Sequence, residues 1–431
     1  MTGNAKTTDD EDWGQLYVTR RCCGAATCRN YAPELLGEVA PGTPTSTAIL
    51  ANSHDEGAFT GVLRQPRSRD DYHAARAAAA GCGFGAIRLT KPARKTAAGI
   101  PTPGPWAEWP RRIEDNVWAL GQASTKNYGA LSYFIELPAG GLLVDLPKPS
   151  DEVFRWLEEH GGVRWIFLTH KDHVQHHAEY AARFPGCRRI IGRADVNKRQ
   201  SSFADATSAV EIQLPPNAGP TTLDGEPLAN DVFGDAELAV LPQPGHTPGT
   251  LCLLYRGKYL FTGDHLSYSR LRGHVIAHRL QCWESWQRQT DSVSRLRDWA
   301  TAGQLRFSWL LPGHGEWHRF DGTATSAQTA KELERAVQWM REQPAGNVPL
   351  LRWIPFVLTR TKPSSRFAKL VMAIGGKCRD AWLIPRDART YLTDHRANDT
   401  ERAVQRLRVL LLASAAALTT LAWFVAHTLR S

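Results

Sequence analysis

The sequence predicts an α/β protein, because apolar strand-like runs alternate with helical patterns over about 113–320. Two further observations support this class. The composition, 42% hydrophobic and 22% charged, is that of a folded chain. Histidines and aspartates also recur directly after strand-like runs, where loops commonly carry functional side chains. Because 431 residues exceed one ordinary core, we expect more than one domain.

The predicted α/β region opens with LSYFIEL (131–137) and GLLVDL (141–146), two strands joined by a turn. Ser150, followed by two acidic residues, is typical of the start of a helix, which we expect to end near 160. VRWIFL (163–168) then predicts a buried strand. The remaining predicted strands are RRIIG (188–192), ELAVL (237–241), TLCLLY (250–255), KYLFTG (258–263) and SWLLPGHG (308–315), with a helix over about 283–299.

Composition divides the chain into six segments. We interpret them as a disordered tail (1–20), a cysteine-containing domain (21–95), a Pro- and Gly-rich linker (96–112), the α/β domain (113–340), a basic extension (341–405) and an apolar tail (406–431). Within the cysteine-containing domain, an alanine-rich stretch predicts a helix over 72–80.

The apolar tail predicts a membrane anchor. Residues 409–426 (VLLLASAAALTTLAWFVA) carry no charge and are long enough to cross a bilayer as a helix. Arginines precede the stretch, which places the main domains in the cytoplasm. We therefore expect a single-pass C-terminal transmembrane helix and a membrane localisation, with a buried core helix as the alternative. The basic extension would then lie on anionic lipid or simply cap the domain.

The N-terminus bears on the state of the eight cysteines. Its first residues, MTGNAKTTDDEDWG, are polar and acidic and contain no apolar signal region. We therefore expect reduced thiols or metal ligands rather than disulfides.

Four short segments predict a metal site. They are THKDHVQHH (169–177), PGHTPGT (244–250), FTGDH (261–265) and LPGHG (311–315). Each follows a predicted strand and places a histidine or aspartate beside Gly, Pro or Thr. Neutral imidazole and carboxylate are ligands that suit zinc, iron or manganese. One such segment would be uninformative, but four in order predict a metal centre.

With these segments, 113–320 resembles the metallo-β-lactamase-fold superfamily, which includes glyoxalase II-like hydrolases. The resemblance implies an αββα sandwich with two divalent ions, zinc or iron, at one edge of the sheets. It also implies that His170, His246 and His314 are metal ligands and that Asp264 is a bridging carboxylate.

The first metal loop departs from the superfamily's usual His-x-His-x-Asp-His. It resembles an extended branch of the form His-x-Asp-Asp-Val-x-Asp-His, with His173 and His176 where that branch has aspartates. This resemblance implies that His177 is the last ligand of the loop, that His176 takes a ligand and catalytic aspartate's place, and that Asp172 is a further ligand with His173 as its rival. Asp172, His176 and Asp264 are the implied catalytic residues. A neutral histidine at 176 removes one candidate base.

The stretch RCCGAATCRNYAPELLG (21–37), with AAAAGCGFGAIR (77–88), resembles a bacterial-type ferredoxin domain. Cys22, Ala25 and Cys28 occupy the usual cysteine triplet, so the middle ligand is missing, and Cys82 matches the distant cysteine. The resemblance implies a 3Fe-4S or 4Fe-4S cluster held by these three thiolates. A relic domain that binds no cluster is the alternative.

Three hypotheses for function follow. The first is a hydrolase in which metal-bound hydroxide attacks an ester or thioester of a small-molecule substrate. The second is an oxidoreductase that passes electrons from an iron–sulfur cluster, supplied by an electron-transfer partner, to the metal pair. The third is a non-catalytic, membrane-anchored relative. A net charge of +9 would permit nucleic-acid binding, but no added domain separates the last two metal segments. The candidate substrate contacts are Tyr268, Arg270, Arg272 and Trp283.

Overall fold

The computed structural model describes residues 13–19, 22, 24–39, 60–90, 109–196, 207–215, 237–322 and 325–343. The chain divides into two units, and all of these residues belong to the first, which comprises 1–47 and 55–347. The predicted basic extension beyond 343 and the predicted anchor at 409–426 lie outside the described residues.

The described part of 13–90, hereafter the N-terminal module, contains two small sheets and one helix. Strands β1 and β4 pair antiparallel, as do β2 and β3. The helix begins after Ser68, whose hydroxyl accepts a hydrogen bond from the Asp71 N–H, and it contains the predicted 72–80 segment. The elements are β1 (Leu16–Val18), β2 (Leu36–Glu38), β3 (Thr60–Val62), α1 (Arg69–Gly81) and β4 (Ile87–Leu89). The ferredoxin-like resemblance of this module stays a prediction.

A seven-stranded sheet forms the first half of the α/β domain. Its strands are β5 (Arg111–Glu114), β6 (Val117–Ala119), β7 (Tyr133–Ile135), β8 (Gly141–Val144), β9 (Val163–Phe167), β10 (Arg188–Gly192) and β11 (Ile212–Leu214). They lie side by side in the order β11–β10–β9–β8–β7–β6–β5. Neighbours from β11 to β8 are parallel, and those from β8 to β5 are antiparallel. Two helices, α2 (Asp151–Glu159) and α3 (His177–Arg183), belong to this half.

A five-stranded sheet and two long helices form the second half. The sheet has the order β12–β13–β14–β17–β18, in which β14 and β17 are parallel and the other neighbours antiparallel. A separate hairpin, β15–β16, follows β14. The elements are β12 (Leu238–Pro242), β13 (Leu251–Tyr255), β14 (Tyr259–Gly263), β15 (Ser267–Ser269), β16 (His274–Ile276), α4 (Trp286–Thr301), β17 (Trp309–Pro312), β18 (His318–Arg319) and α5 (Ser326–Glu342).

The hydrophobic clusters define the layers. One cluster joins facing side chains of the two sheets, such as Phe167 and Phe261. A second packs α2 and α3 on the outer face of the first sheet, and a third packs α4 and α5 on the outer face of the second. The order is therefore helices, sheet, sheet, helices. The predicted α/β class is confirmed.

Most predicted elements of the α/β domain appear within a few residues of their expected bounds. The strand at 188–192 is found with the predicted limits, and the helix predicted over 283–299 spans Trp286–Thr301. Ser150 caps α2, because its hydroxyl accepts a hydrogen bond from the Val153 N–H at 3.3 Å. Continuous apolar runs thus located the strands, since both sheets are buried between layers.

The predicted membrane localisation requires correction. Within the described residues, no helix has both the length and the apolar character needed to cross a bilayer. The stretch 409–426, on which the prediction depended, lies outside them. The single-pass anchor and the placement derived from it are therefore not retained.

Candidate metal centre

Four loops bring titratable side chains to one edge of the sandwich. His170 follows β9, His246 follows β12, Asp264 directly follows β14 and His314 follows β17. The backbone of the loop after β9 turns at once into a short 3₁₀ helix, Lys171–His173. Because these strands end at the same edge, residues distant in sequence become neighbours.

Asp264 lies at the middle of the cluster, and its Oδ2 faces a first donor set. The Nε2 atoms of His170 and His246 lie 3.6 and 3.7 Å from this oxygen. Asp172 completes the set, because its Oδ2 lies 3.8 Å from His170 Nε2 and 4.0 Å from His246 Nε2. We call His170, Asp172, His246 and Asp264 Oδ2 the first donor set.

The other oxygen of Asp264 faces a second donor set. His173 Nε2 lies 3.7 Å from Asp264 Oδ1, and His314 Nδ1 lies 2.8 Å from the same oxygen. The rings of His173 and His314 are 5.0 Å apart. We call His173, His314 and Asp264 Oδ1 the second donor set. His314 Nδ1 also lies 2.9 Å from Asp264 Oδ2, so this one carboxylate contacts both donor sets, as a bridging ligand would.

The unpaired ring nitrogens test whether a metal fits. The Nε2 atoms of His170, His173 and His246 are buried and have no hydrogen-bond partner among the described residues. Such atoms are costly to bury unless something binds them. In tetrahedral zinc sites with bonds of about 2.0–2.1 Å, donor atoms lie roughly 3.4 Å apart. The His314–Asp264 contact of 2.8 Å is shorter and the other separations are slightly wider, so both sets fit a divalent ion after a small rearrangement.

An outer layer of hydrogen bonds orients the imidazoles. Asp145 Oδ2 lies 2.7 Å from His173 Nδ1, and its Oδ1 accepts from the Thr169 N–H at 2.9 Å. The Thr169 hydroxyl lies 3.0 Å from His170 Nδ1. A carboxylate behind a ligating histidine fixes its tautomer and raises its basicity. Asp145 was not among the site residues predicted from the sequence. Its position at the end of the predicted strand 141–146 was a signal that could have identified it.

Burial and neighbouring charge shift the pKa values in the cluster. Burial lowers the pKa of His246 to about 4, so its imidazole is neutral and able to bind a cation. Burial raises the pKa of Asp172 to about 6. Burial would also raise the pKa of Asp264, but the surrounding His314, His173 and His170 hold it well below its usual range. Asp264 is thus the firmly ionised carboxylate of the centre.

The structure does not bring His176 or His177 to either donor set. His176 Nε2 lies 2.9 Å from the Ser124 hydroxyl, and His177 Nδ1 accepts from the Arg189 guanidinium at 3.0 Å. The physical reason is local: the ligands come from the tight 3₁₀ turn, and α3 then starts at His177 and directs its ring toward β10. Neither residue is therefore part of the two donor sets, and the ligand roles of both, with the catalytic role of His176, stay predictions from the sequence.

Three of the four candidate substrate contacts pack against protein groups. The Tyr268 ring stacks on His318 with centroids 3.6 Å apart, and Arg270 forms an ion pair with Glu316 at 3.1 Å. Arg272 lies over the Trp339 ring. The fourth, Trp283, is 44% exposed, and its backbone N–H donates to the His246 carbonyl at 2.9 Å. Trp283 therefore lies beside the first donor set.

Cys22, Cys28 and Cys82 line one cavity in the N-terminal module. Ala25 and Gly129 also contribute to the wall of this cavity. Burial, with the nearby Cys22 and Cys82, raises the pKa of the Cys28 thiol to about 12. The Ala86 N–H donates to Cys82 Sγ at 3.3 Å. Among the described residues, no three cysteine sulfurs lie within 4.8 Å of one another, the spacing that a single ion needs.

The chain is similar in sequence to a hydroxyacylglutathione hydrolase of Anaeromyxobacter dehalogenans (strain 2CP-C). The two are 32% identical over 149 residues, which is 33% of this chain and 49% of the hydrolase. The chain therefore spans about half the length of this relative. No protein-family model matches the chain.

Solved metallo-β-lactamases also superpose on part of the chain. The enzyme from Pontibacter korlensis has a TM-score of 0.39 and 15% identity, covering 55% of this chain and 99% of its own. The DIM-1 enzyme has a TM-score of 0.37 and 12% identity, covering 53% and 97%. The layer order and the strand topology show a mixed α/β sandwich of helices, sheet, sheet and helices.

Proposed function

We propose that the protein is a metal-dependent hydrolase that cleaves an ester- or thioester-type bond in a small-molecule substrate. The observation that carries this proposal is the convergence of four imidazoles on the two oxygens of one buried carboxylate, Asp264. The ligands we assign are His170, Asp172, His246 and Asp264 in the first donor set, and His173, His314 and Asp264 in the second. Zinc and iron both suit these nitrogen and oxygen donors.

Divalent ions bound there would supply the Lewis acidity that activates water and stabilises negative charge in the transition state. The protein's own contribution is positional. Asp264 holds the two donor sets at a fixed separation, while Asp145 and Thr169 fix the rings of His173 and His170. Asp172 is the partly exposed carboxylate of the centre, 23% accessible, and is therefore the acidic group that a substrate or water reaches first.

The proposed substrate class rests on the sequence relative and on the exposed residue beside the first donor set, Trp283. That relative is a hydroxyacylglutathione hydrolase, and the acyl–sulfur bond of an acylglutathione is a thioester. In this chain, the exposed Trp283 lies beside His246 and offers an apolar surface to an acyl group. We therefore place thioesters and related esters first among the substrates.

The test is hydrolysis of an acyl-glutathione thioester by the purified full-length chain, with and without added zinc or iron. His246→Ala removes a ligand of the first donor set, and we expect it to lose at least 100-fold in kcat/KM. His160→Ala is the matched control. His160 precedes β9, and His170 follows it, so the strand of about five residues separates them by roughly 16 Å. The control should retain wild-type activity.

The outcomes are distinct. Thioester hydrolysis that depends on metal and on His246 supports the proposal. A metal-loaded chain that cleaves a cephalosporin but no thioester or ester would move the substrate to β-lactams. A chain that binds metal but hydrolyses none of these bonds would favour the non-catalytic alternative.

An iron–sulfur redox role is the second candidate, because Cys22, Cys28 and Cys82 share one cavity. Their spacing exceeds that of a single-ion site, and the Ala86 N–H on Cys82 is a contact that cluster thiolates receive. The cavity wall includes Gly129, and the neighbouring Tyr128 carbonyl lies 3.1 Å from His314 Nε2. The second donor set is therefore close to the cavity. An external one-electron donor and an acceptor such as dioxygen, nitric oxide or peroxide complete this candidate.

Anaerobic purification tests the redox candidate. A bound cluster requires iron and acid-labile sulfide, together with a charge-transfer band above about 400 nm. Ala25→Cys restores the missing middle cysteine of the triplet and should raise cluster occupancy, whereas Cys28→Ser should abolish it. A colourless wild-type chain without sulfide, and no gain in Ala25→Cys, would reject the cluster and leave the hydrolase proposal unaffected.

A further inference from the structure

One 3₁₀ turn of the N-terminal module, Thr27–Asn30, packs against the last metal loop. All four of its residues are buried, although three of them are polar. Buried polar side chains require partners. The partners of these side chains lie mainly in the α/β domain, on both sides of His314, and they are described one side at a time below.

Asn30 holds the backbone that follows His314. Its amide Nδ2 donates to the Gly315 carbonyl at 3.1 Å, and its Oδ1 accepts from the Trp317 N–H at 3.0 Å. The Gly315 N–H also donates to the Ala25 carbonyl at 2.9 Å. Three hydrogen bonds to the module therefore fix Gly315 and Trp317, and two of them depend on the single amide of Asn30.

Arg29 adds a buried ionic contact to the same segment. Its guanidinium lies 3.5 Å from a carboxylate oxygen of Glu316, two residues after His314, and 3.6 Å from Glu38. Arg270 also pairs with Glu316, and it donates to the Arg29 carbonyl at 2.7 Å. Because the Glu316 side chain is only 1% exposed, removal of one partner would leave a buried charge uncompensated. The turn and the metal loop are thus tied by charge as well as by hydrogen bonds.

Thr27 reaches the other side of His314. Its hydroxyl donates to the Gly129 carbonyl at 2.9 Å, and the preceding carbonyl, of Tyr128, lies 3.1 Å from His314 Nε2. When Nδ1 of His314 ligates a metal, Nε2 carries the proton and donates it to this carbonyl. The same turn therefore supports both the backbone that carries His314 and the acceptor that orients its ring.

We propose that the Thr27–Asn30 turn positions His314, with Asn30 as the main positioning residue, and that metal affinity of the second donor set depends on the N-terminal module. This inference rests on the proposed metal-dependent function. The first donor set lies outside these contacts, because His170 and His246 belong to loops that Asn30 does not touch. The N-terminal module therefore helps to hold the ligand His314 in place.

The test is Co²⁺ titration of the metal-free full-length chain, followed by absorption spectroscopy. We expect two equivalents to bind to the wild type. In Asn30→Ala, the first equivalent should bind as in the wild type and the second about 10-fold or more weakly, as for loss of other outer-layer contacts. Asn116→Ala is the matched control, because its amide also bridges two elements, donating to the Glu136 carbonyl and to the Tyr255 hydroxyl. It should bind both equivalents normally.

Each outcome decides a separate point. If Asn30→Ala and Asn116→Ala bind both equivalents like the wild type, the positioning role is overturned and the hydrolase proposal stands. If the wild type binds no Co²⁺, the proposed function fails, and the positioning role fails with it. If Asn30→Ala does not fold, Asn30→Asp replaces it. That variant keeps the oxygen that accepts from Trp317 and loses the donor to Gly315, so it must still weaken only the second equivalent.

Discussion

Asp145 Oδ2 lies 2.7 Å from His173 Nδ1, and this contact fixes which nitrogen of His173 faces Asp264. Asp145 is buried and has a positive φ of 52° at the end of β8. Its other oxygen accepts from the Thr169 N–H at 2.9 Å. One carboxylate therefore anchors the start of the first metal loop and orients a ligand within it.

We predict that Asp145→Asn weakens metal binding about 10- to 100-fold, because an amide cannot replace a carboxylate behind a ligating imidazole. The measurement is zinc affinity by competition with a chromophoric chelator. Asp115→Asn is the control, since Asp115 also has a positive φ and accepts hydrogen bonds from Lys258 and Tyr259. Equal zinc affinity in the two variants would contradict the role of Asp145.

The two histidines at the ends of the first loop should differ in effect. His177→Gln should leave the metal content unchanged, because His177 contacts Arg189 rather than Asp264. His173→Gln should remove the second ion, because His173 Nε2 faces Asp264 Oδ1 at 3.7 Å. Elemental analysis of both variants after identical purification separates them. Loss of metal in the first variant and retention in the second would restore His177 as a ligand.

Gly313 is predicted to be intolerant of any side chain. A Cβ there would lie 2.6 Å from His173 Cε1 and 3.1 Å from Asp264 Oδ1. Gly313→Ala should therefore displace the second donor set and reduce metal content while the chain remains folded. Gly161→Ala is the comparison, since a Cβ at 161 meets no atom within 4 Å but incurs backbone strain at its positive φ. If the Gly161 variant loses as much metal, crowding at Gly313 is not the cause.

The Arg189–Glu211 pair predicts a pH-dependent stability. Burial would raise the pKa of Glu211, but hydrogen bonds from Arg189 lower it to about 2, below the unfolded value near 4.5. The pair therefore stabilises the fold fully above pH 4.5, and the stabilisation disappears as the pH falls toward 2. Glu211→Gln should lower the melting temperature at pH 7, and the difference from wild type should shrink on acidification.

The control for that measurement is Glu237→Gln, because Glu237 pairs with Arg256 at an exposed position and contributes little. A melting-temperature difference for Glu211→Gln that is independent of pH between 7 and 3 would contradict the assigned ion pair.

Much of the fold was predictable, because both sheets of the sandwich are buried and their strands appear as apolar runs. The strand at 188–192 and the Ser150 cap need only local sequence. The short strands β15, β16 and β18 and the bridge between Tyr268 and Glu316 were not predicted, because elements of two or three residues carry no periodic signal.

The site was only partly predictable. His246 and His314 are the single histidines of their segments, and Asp264 is the single carboxylate of its own, so the sequence indicates these ligands directly. In the first loop four histidines compete, and the choice among them depends on a 3₁₀ turn that motif spacing does not specify. Contacts across the fold, such as Asn30 with Gly315, are 285 residues apart in sequence and leave no local pattern.

The number of divalent ions per purified full-length chain tests the central claim most directly. The two donor sets around Asp264 predict two ions of zinc or iron in the wild type, measured by elemental analysis after purification without chelators. Asp264→Asn should lose both, because its two oxygens serve both sets. Well under one ion per wild-type chain, even after incubation with excess zinc or iron, would contradict the account.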